Sequence, residues 1–598
     1  MNVDAILQES TIYRRRERLN EIPDGLGLGD AYSAMVERVK AQGGDKSRLG
    51  MEALMWISHA QRPLRADELC YALAVKLGST DFNLENVPSM ATLMNCCQGL
   101  IAMDKEASTL RLIHFTLKEY LSTRPDIFSR PHSAMAEICL TYLDSKQVNA
   151  LSADPSPYTL NTPFLSYCSL YWGVHAKREL SNYSKSRALH LLQRYNGHIS
   201  AKSFLEHAEG MQVEYLAASS QFTGLHCASF FGIVEVVAAL IELESCDTNE
   251  GDFWGYTPLA WAAKNGHEGV VKVLLEREEV YPDRPSDWGN TPLSYAAANG
   301  HEEVVKILLD QEKVNPDRPD TDGRTPLWFA ARGGYEKIVK ILLGREEVNP
   351  DKPDDHGSTP LSISAQGGRE DVVKIMLGRQ EVDPDRPDNA GSTPLLHAAW
   401  GGYEGVVKVL LEQGEVGPDK PDNYGQTPLQ NAAWGGHEEV VKILLRRDGV
   451  NPDKPNSHGS TPLSLAAQYG HENVVQILLG RKGVNLEKPD GDGDTPLSCA
   501  AYGGCEGVVK ILLEQEGVNP DFPNNNGQTP LSIAAGQGHE GVVKILLEQE
   551  VNPDMPDNDG RTPLVYAAKH GHQKVIELLQ SHGVKTHGVP SAISDTTD

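Results

Sequence analysis

The chain has 598 residues, of which 40% are apolar and 23% charged, and its net charge is −27. This is enough material for more than one domain, and the absence of a long apolar run or a signal-like start argues against a membrane or secreted protein, so we expect a cytoplasmic location with the nucleus as the alternative. The nine cysteines are scattered without a Cys-x-x-Cys pair, which indicates neither a zinc site nor a disulfide framework.

The N-terminal third has a mixed helical pattern. We expect a helical segment at 1–48, a winged-helix-like domain at 49–146 and a helical connector at 147–219. Within the second of these, Leu54–Leu69 indicates a helix, a turn and a second helix, and a strand pair is expected around 99–104 and 109–114. Helices followed by a hairpin and a further helix are the order of a winged helix.

This region resembles the part of fungal NACHT-type signalling ATPases that follows their nucleotide-binding domain. The matching stretches begin at Ile22, Ala53, Arg62, Arg111 and Tyr171 and read Ile-Pro-Asp-Gly-Leu, Ala-Leu-Met-Trp-Ile-Ser, Arg-Pro-Leu-Arg-Ala-Asp-Glu-Leu, Arg-Leu-Ile-His-Phe-Thr-Leu and Tyr-Trp-Gly-Val-His-Ala. The resemblance implies a winged helix beside an ATPase domain, often followed by an ankyrin array that acts as a sensor.

A phosphate-binding loop of the Gly-x-x-x-x-Gly-Lys-Ser/Thr type is missing from these 598 residues. Gly43-Gly-Asp-Lys-Ser is the nearest string, but it lacks Gly-Lys and follows a helical stretch. His114 matches a histidine that approaches nucleotide in the related ATPases, yet without a nucleotide domain we expect it to be a structural residue beside the wing strands. The basic cluster at Arg14 lies outside the winged helix and is interpreted as a solvated helix face.

From Thr257 onward the triplet Thr-Pro-Leu returns at a fixed spacing of 34 residues, except for the last interval of 33. A period of this length indicates units that bury their apolar faces by stacking on each other. In the unit that begins at Thr291, the threonine is expected to cap a first helix and Gly300 to end it. A second helix then follows with its core residues at Val304, Val305, Leu308 and Leu309.

These units resemble the ankyrin repeat in their Thr-Pro-Leu, Ala-Ala, Gly-His and Val-Val/Leu-Leu sequences. Counting a degenerate first unit at Thr223, there are about eleven in residues 220–585, followed by a tail at 586–598 that we expect to be disordered. The fold class is therefore mainly α: an ankyrin-repeat solenoid preceded by a mostly helical winged-helix-like domain. Two departures recur, namely serine where the family usually has histidine after Thr-Pro-Leu, and connecting segments one residue longer.

The connecting segments, here called fingers, read Val-Asn-Pro-Asp-x-Pro-Asp-x-x-Gly. Two prolines in each finger predict stiff, extended chain with little true sheet. Residues 1–200 carry 22 Lys/Arg and 21 Asp/Glu, so the remaining residues hold a charge of −28. Such a surface disfavours direct nucleic-acid binding and favours a basic or neutral protein partner, although simple solubility explains the charge equally well.

No motif with catalytic spacing stands out. Gly-His-Glu recurs, but the second histidine of a His-Glu-x-x-His zinc site never follows, and these histidines are expected to bond to neighbouring turns. The acidic run at Asp490 resembles the start of a calcium loop, but its twelfth position is Ala501. We therefore expect no catalytic residues, no cofactor, no metal and no enzyme.

Residues that break the internal consensus are the candidates for partner binding. In ankyrin proteins the finger tips and first helices line a concave groove, and aromatic and arginine side chains most often dominate interface energy. Trp400 and Trp434 are one repeat apart, so a spacing of about ten ångströms is expected between them, although filling space between repeats is a competing explanation. The candidates are Trp254, Trp288, Arg324, Arg332, Trp400, Tyr424, Trp434, Tyr469 and Tyr502.

Three functions remain open on this basis. The leading one is a non-enzymatic scaffold or sensor that binds a protein on the concave face of the array. The alternative is the C-terminal regulatory part of a NACHT-type nucleotide-operated switch whose ATPase domain lies in another chain or an upstream exon. An enzyme hidden in residues 1–219 would require a pocket of convergent polar groups there, which the sequence does not indicate.

Overall fold

Short helices make up nearly all of the regular secondary structure in the described residues. The computed structural model describes residues 28–79, 81–104, 106–151, 162–208, 221–243 and 246–584. Over these ranges the only sheet is one two-stranded hairpin. The basic cluster at Arg14 and the tail expected at 586–598 lie outside the described residues.

The N-terminal helices surround this hairpin. Its strands, Ile101–Asp104 and Thr109–Leu112, pair antiparallel, with Ile101 opposite Leu112. The chain just before the helix Ala66–Ala74 adds a short third pairing, in which Leu110 donates its amide to the Leu64 carbonyl at 2.9 Å. The expected strand pair is thus confirmed, and with it the winged-helix order. The elements are α1 (Leu28–Ala41), α2 (Gly44–His59), α3 (Ala66–Ala74), a 3-10 turn (Leu84–Asn86), α4 (Met90–Cys96), β1 (Ile101–Asp104), β2 (Thr109–Leu112) and α5 (Phe115–Ser122).

Five further helices connect this domain to the repeats. The helices that carry Trp172 and Phe204 pack directly on repeat 1, where Trp172 meets Phe231 edge to face at 5.3 Å and Phe204 stacks on Phe222 at 5.5 Å. An array needs its end covered because the outermost repeat has an apolar face and no neighbour, and these aromatic contacts supply that cover. The helices are α6 (Pro131–Leu143), α7 (Lys146–Asn149), α8 (Leu165–Arg178), α9 (Asn182–Leu192) and α10 (Ile199–Ala208).

Eleven helix pairs, one per repeat, follow in the described residues 221–243 and 246–584. The first helices are Gly224–Phe231, Pro258–Lys264, Pro292–Ala298, Pro326–Gly333, Pro360–Gln366, Pro394–Trp400, Pro428–Trp434, Pro462–Gln468, Pro496–Gly503, Pro530–Gln537 and Pro563–Lys569. The second helices are Val234–Ile241, Glu268–Leu275, Glu302–Leu309, Glu336–Leu343, Glu370–Leu377, Glu404–Leu411, Glu438–Leu445, Glu472–Leu479, Glu506–Leu513, Glu540–Leu547 and Gln573–Ser581.

The capping, terminating and core residues predicted for the repeat have those roles in the structure. Thr291 Oγ1 accepts the Ser294 amide at 3.2 Å and so caps its helix, and Gly300 follows that helix with a φ of 78°. A side chain on a residue with this φ would be strained, which explains the glycine. Val304, Val305, Leu308 and Leu309 of the second helix are buried, as expected.

The fingers contain no strands in the described repeats, which confirms the prediction of little sheet. Most fingers are held by an Asx turn: Asp422 Oδ1, for example, accepts the amides of Tyr424 at 2.9 Å and Gln426 at 2.8 Å. Successive fingers share one backbone hydrogen bond, such as that from the Asn423 amide to the Ala390 carbonyl at 2.9 Å. Side chains therefore supply much of the order that a sheet would otherwise give.

Charged side chains also link successive fingers, a feature that the sequence reasoning missed. Lys420 Nζ lies 2.9 Å from both the carboxylate and the carbonyl of Asp385 in the preceding repeat. The same arrangement recurs along the array in the pairs Lys352–Asp317, Arg386–Asp351, Lys454–Asp419 and Lys488–Asp453. Most cations of the finger sequence are thus engaged between repeats.

The chain forms two compact units. The first contains the N-terminal helices and the repeats up to residue 296 with 303–314, and the second contains 297–302 and everything from 315 onward. Trp254 and Trp288 belong to the first unit, and the other seven candidate residues belong to the second.

Candidate protein-binding surface

Four exposed aromatic residues stand at the ends of first helices in repeats 6 to 9. Trp400 and Trp434 are the last residues of their helices and are 51% and 40% exposed; Tyr469 and Tyr502 are 50% and 53% exposed. We call these four residues the aromatic ridge. In the same repeats the valines and leucines of the second helices are mostly buried, so packing does not account for these side chains.

The backbone beneath the ridge is fixed by the next repeat. The Nε2 atoms of His437, His471 and His539 lie 3.0, 2.8 and 3.0 Å from the carbonyl oxygens of Trp400, Trp434 and Tyr502 respectively. A carbonyl only accepts, so each imidazole donates here. The Gly-His histidines therefore bond to neighbouring turns, as expected, and hold the residues that carry the ridge.

Within the ridge, Trp434 and Tyr469 form a T-shaped pair with ring centroids 5.8 Å apart. Aromatic pairs at this distance are attractive beyond their buried area and keep both rings pre-oriented. The expected spacing between Trp400 and Trp434 stays a prediction.

In the first unit, Trp254 and Trp288 do meet across one repeat. Their ring centroids are 6.3 Å apart, and Tyr256 packs against the Trp288 ring at 6.0 Å. Lys264 Nζ lies 5.2 Å from the centre of the Tyr256 ring. Trp254 is half-buried and Trp288 is 46% exposed, so this cluster is a smaller aromatic surface with an ammonium group beside it.

The two candidate arginines have different surroundings. Arg324 is engaged within its own finger by Asp320 and Asp322, at 2.8 and 2.5 Å. Arg332 is exposed and lies over the nearly buried ring of Trp328 at 5.6 Å. Arg324 is therefore a finger-stabilising residue in the free protein, whereas Arg332 remains accessible.

Finger residues and first-helix ends share a cleft at repeats 9 to 11. A space of about 350 Å³ is lined by Asp492 and Asp494 of one finger, Tyr502 of the ridge, and Tyr566 of the last repeat. Tyr424 lies at a finger tip in repeat 7 and is 63% exposed. Tyr502 is one of the candidates predicted from the sequence, whereas the aspartates of this finger are not among them. Comparing each finger position between repeats would have shown that Asp494 is an acidic residue where the other Thr-Pro-Leu repeats have Tyr, Asn, Arg, Ser or Gln.

The N-terminal domain has a cleft of its own, of about 330 Å³. Phe115 is 77% exposed at its edge and stacks on His114, with ring centroids 4.6 Å apart. His114 Nδ1 accepts the Thr116 amide at 3.3 Å and so caps α5, in agreement with the structural role expected for it. Arg62, Arg111 and Lys118 make this cleft basic.

Features of metal or thiol chemistry are sparse. Throughout the described ranges, no group of three or more His, Cys, Asp or Glu side chains is placed to hold a metal ion. Seven of the nine cysteines are buried, and burial raises the pKa of the Cys97 thiol to about 12. Such thiols are poor nucleophiles at neutral pH.

None of the helices in the described part of the chain is long and apolar enough to cross a membrane.

Stacked helix pairs joined by fingers define a repeat protein, and the comparison with family models agrees. The model described as ankyrin repeats in three copies matches eight overlapping segments that together run from 189 to 587. This is about two thirds of the chain, which belongs to the ankyrin-repeat family. Residues 37–130 match the model described as the winged helix domain of GPI inositol-deacylase. No curated protein matches the chain in the corresponding search.

Proposed function

We propose that the chain is a non-enzymatic scaffold or sensor that captures a protein partner on the face carrying the first-helix ends and finger tips, the concave face of ankyrin proteins. The observation that carries this proposal is the aromatic ridge in repeats 6 to 9. Four large rings, exposed by 40–53%, lie on successive repeats, and the backbone carbonyls of three of them are tied to the next repeat. Contiguous apolar surface on an otherwise polar protein marks interaction sites.

The ridge suits a protein partner better than a small molecule. Its rings lie on successive repeats, so they match side chains spaced along an extended surface. The fixed backbone keeps the entropy cost of binding low, since little has to be ordered on association. The surrounding acidic fingers favour a basic or neutral partner.

The test is affinity capture from the native cell with the full chain and the Trp400→Ala/Trp434→Ala variant. Because the two rings are anchors, their loss should weaken capture at least about thirtyfold, since the truncation of even one hot-spot residue costs about 2 kcal/mol or more. The melting temperature should stay close to that of the wild type, since both side chains are exposed.

Tyr281→Ala is the matched control, because Tyr281 is an equally exposed aromatic residue, at 61%, outside the candidate set. Capture should be unaffected by this change. A partner that is retained equally by the double tryptophan variant would show that the ridge is not the binding site.

A second candidate function rests on the N-terminal domain. The winged-helix match, together with the basic cleft and the exposed Phe115, fits a module that packs against a nucleotide-binding domain in a NACHT-type switch. The first check is to read the genomic sequence upstream of Met1 for a Gly-x-x-x-x-Gly-Lys-Ser/Thr loop. Finding none there or in any captured partner would remove this candidate.

A further inference from the structure

Repeat 4 shows how a finger of this protein binds a guanidinium group. The Asp320 carboxylate accepts from Arg324 Nε at 2.9 Å, and Asp322 pairs with Nη2 of the same arginine at 2.5 Å. The guanidinium carbon of Arg324 lies 5.4 Å from the centre of the Phe329 ring. Two carboxylates spaced by one residue, with an aromatic ring beside them, form this site.

Repeat 11 repeats the arrangement at the equivalent positions. Arg561 donates from Nε to Asp557 at 2.9 Å and pairs through Nη2 with Asp559 at 2.5 Å. Its guanidinium carbon lies 5.2 Å from the centre of the Tyr566 ring. The recurrence in two separate repeats indicates that the finger backbone itself creates the geometry.

Repeat 9 has the same finger without the arginine. Asp490 Oδ1 accepts the amides of Asp492 and Asp494 at 3.0 and 2.9 Å, which is the turn seen in repeats 4 and 11. The residue at the arginine position is Asp494, so three carboxylates stand where the fingers of repeats 4 and 11 have two and a guanidinium. In the described structure, the Asp494 side chain meets only the neutral amide of Asn524, at 3.0 Å.

The place for an external group is the cleft beside this finger. It is bordered by Asp492, Asp494, Tyr502, Gln528, Tyr566 and His570, and no lysine or arginine lines it. It is open because Gly536 occupies the first-helix position that carries Tyr502 one repeat earlier. A Cβ atom on Gly536 would lie 3.5 Å from the Tyr566 ring, so a larger residue there would project into the cleft.

The electrostatics of the cleft agree with a missing cation. Burial, and to a smaller extent the charges of Asp490 and Asp492, raise the pKa of Asp494 to about 6, although the Asn524 amide opposes the shift. A guanidinium group that bridged two of these carboxylates would stabilise their charged forms through charge-assisted hydrogen bonds.

We propose that the finger of repeat 9 and its cleft bind the guanidinium group of an arginine presented by the protein partner. Arginine is favoured over lysine because its planar fork matches paired carboxylates and stacks on aromatic rings, as Arg324 and Arg561 do within this chain. The inference rests on the proposed function, since it identifies which partner side chain is recognised. It also extends the ridge, because Tyr502 belongs to both surfaces.

The test uses N-acetyl-arginine methylamide as the probe and the full chain labelled at isoleucine methyl groups. Ile533 lines the cleft, so its methyl signal should shift and saturate as the arginine probe is added. The neutral isostere N-acetyl-citrulline methylamide should bind at least about tenfold more weakly, because it lacks the charge that strengthens the hydrogen bonds. The lysine analogue should fall between the two.

Three variants make the result specific. Asp494→Arg installs the internal arginine of repeats 4 and 11 and should abolish the Ile533 shift; Asp492→Asn/Asp494→Asn removes both charges without changing shape and should do the same. Glu514→Gln/Glu516→Gln changes the net charge equally at exposed positions after the second helix of repeat 9, and should leave probe binding within about twofold, since it changes only screened surface charge.

An unshifted Ile533 methyl, equal binding of the citrulline probe, or retained binding in the doubly amidated variant would each overturn the inference. The probe requires no partner, so these outcomes are independent of the ridge. A ridge-dependent capture combined with an unresponsive cleft would overturn the cleft alone, and an arginine-specific cleft with ridge-independent capture would overturn the ridge alone.

Discussion

Asp494 imposes a stability cost on the free protein. Its pKa in the folded chain is about 6, compared with an ordinary value of 3.8, so folding favours its protonated form. The cost is absent below about pH 4, grows as the pH rises through the interval between the two values, and is complete above pH 6. A carboxylate retained at such a cost in an open cleft is typical of a binding position rather than a structural one.

Asp494→Asn should therefore stabilise the protein at pH 7.5. The full pKa difference corresponds to about 3 kcal/mol, and because the cleft is open to solvent we expect about 1 to 2 kcal/mol. Urea denaturation at pH 7.5 and pH 3.5 measures this, and the gain should vanish at the lower pH. Asp559→Asn is the control, since Arg561 already pairs with Asp559 and no gain is expected. Equal stability of wild type and Asp494→Asn at pH 7.5 would contradict the assignment.

For individual helices and fingers, the sequence predicted the interactions that form between residues close together in the chain. Thr291, Pro292 and Gly300 act within one repeat, and each capping or terminating role follows from the residue type and its position. The contacts that order the fingers could not be predicted in this way. They join side chains 35 residues apart, such as Lys420 and Asp385, and nothing local to either residue specifies the partner.

The lysine–aspartate contacts contribute more to the order of the fingers in repeats that have serine after Thr-Pro-Leu. In repeat 1 His226 Nε2 reaches the carbonyl of Glu250 at 3.0 Å, and in repeat 7 Gln430 donates to the carbonyls of Lys454 and Ser460. A serine side chain is too short for that reach, and Ser464 instead bonds back to Thr461. The lysine–aspartate links supply the connection between fingers instead.

Lys420→Met should loosen the finger of repeat 7. Methionine keeps the apolar stem but leaves the largely buried Asp385 carboxylate without its cation, at a cost of about 1 to 2 kcal/mol. Hydrogen exchange of the amides in residues 416–426 is the appropriate measurement, because repeat arrays need not unfold in a single step. The chain has Phe522 and Met555 at the equivalent positions, so an apolar side chain is sterically acceptable there.

The double variant Asp385→Asn/Lys420→Met separates charge from packing. With the carboxylate neutralised, most of the lost protection should return. If the single and double variants exchange equally fast, the ion pair does not stabilise the finger and the prediction fails.

For the whole molecule, repetition explains why the fold was predictable and the proposed binding surface only in part. The winged-helix order and the eleven helix pairs follow from patterns that extend over many residues. The proposed binding surface consists of residues that depart from the repeat consensus, and the consensus does not indicate which of them are accessible. Arg324 and Trp400 are equally suitable candidates in the sequence, yet Arg324 is paired within its finger and Trp400 is exposed. Gly536 could not be predicted as part of the cleft because it contributes no side chain; it matters because its small size leaves the cleft open.

The charge of the array gives a prediction for the intact protein. Residues beyond 200 carry −28, so the approach of a basic partner should be accelerated by long-range attraction. Raising the salt concentration from 50 to 300 mM shortens the Debye length to about 6 Å and should lower the association rate constant about tenfold. Stopped-flow or surface-based kinetics with the captured partner would measure this.

The aromatic ridge should affect the dissociation rate constant. Trp400→Ala/Trp434→Ala removes short-range contacts, so it should raise the dissociation rate constant and leave the salt dependence of association unchanged. Glu514→Gln/Glu516→Gln should do the reverse, reducing the salt dependence slightly while dissociation stays the same. An association rate constant that is insensitive to salt would mean that the acidic surface serves solubility and that recognition depends on the aromatic side chains and the repeat 9 cleft alone.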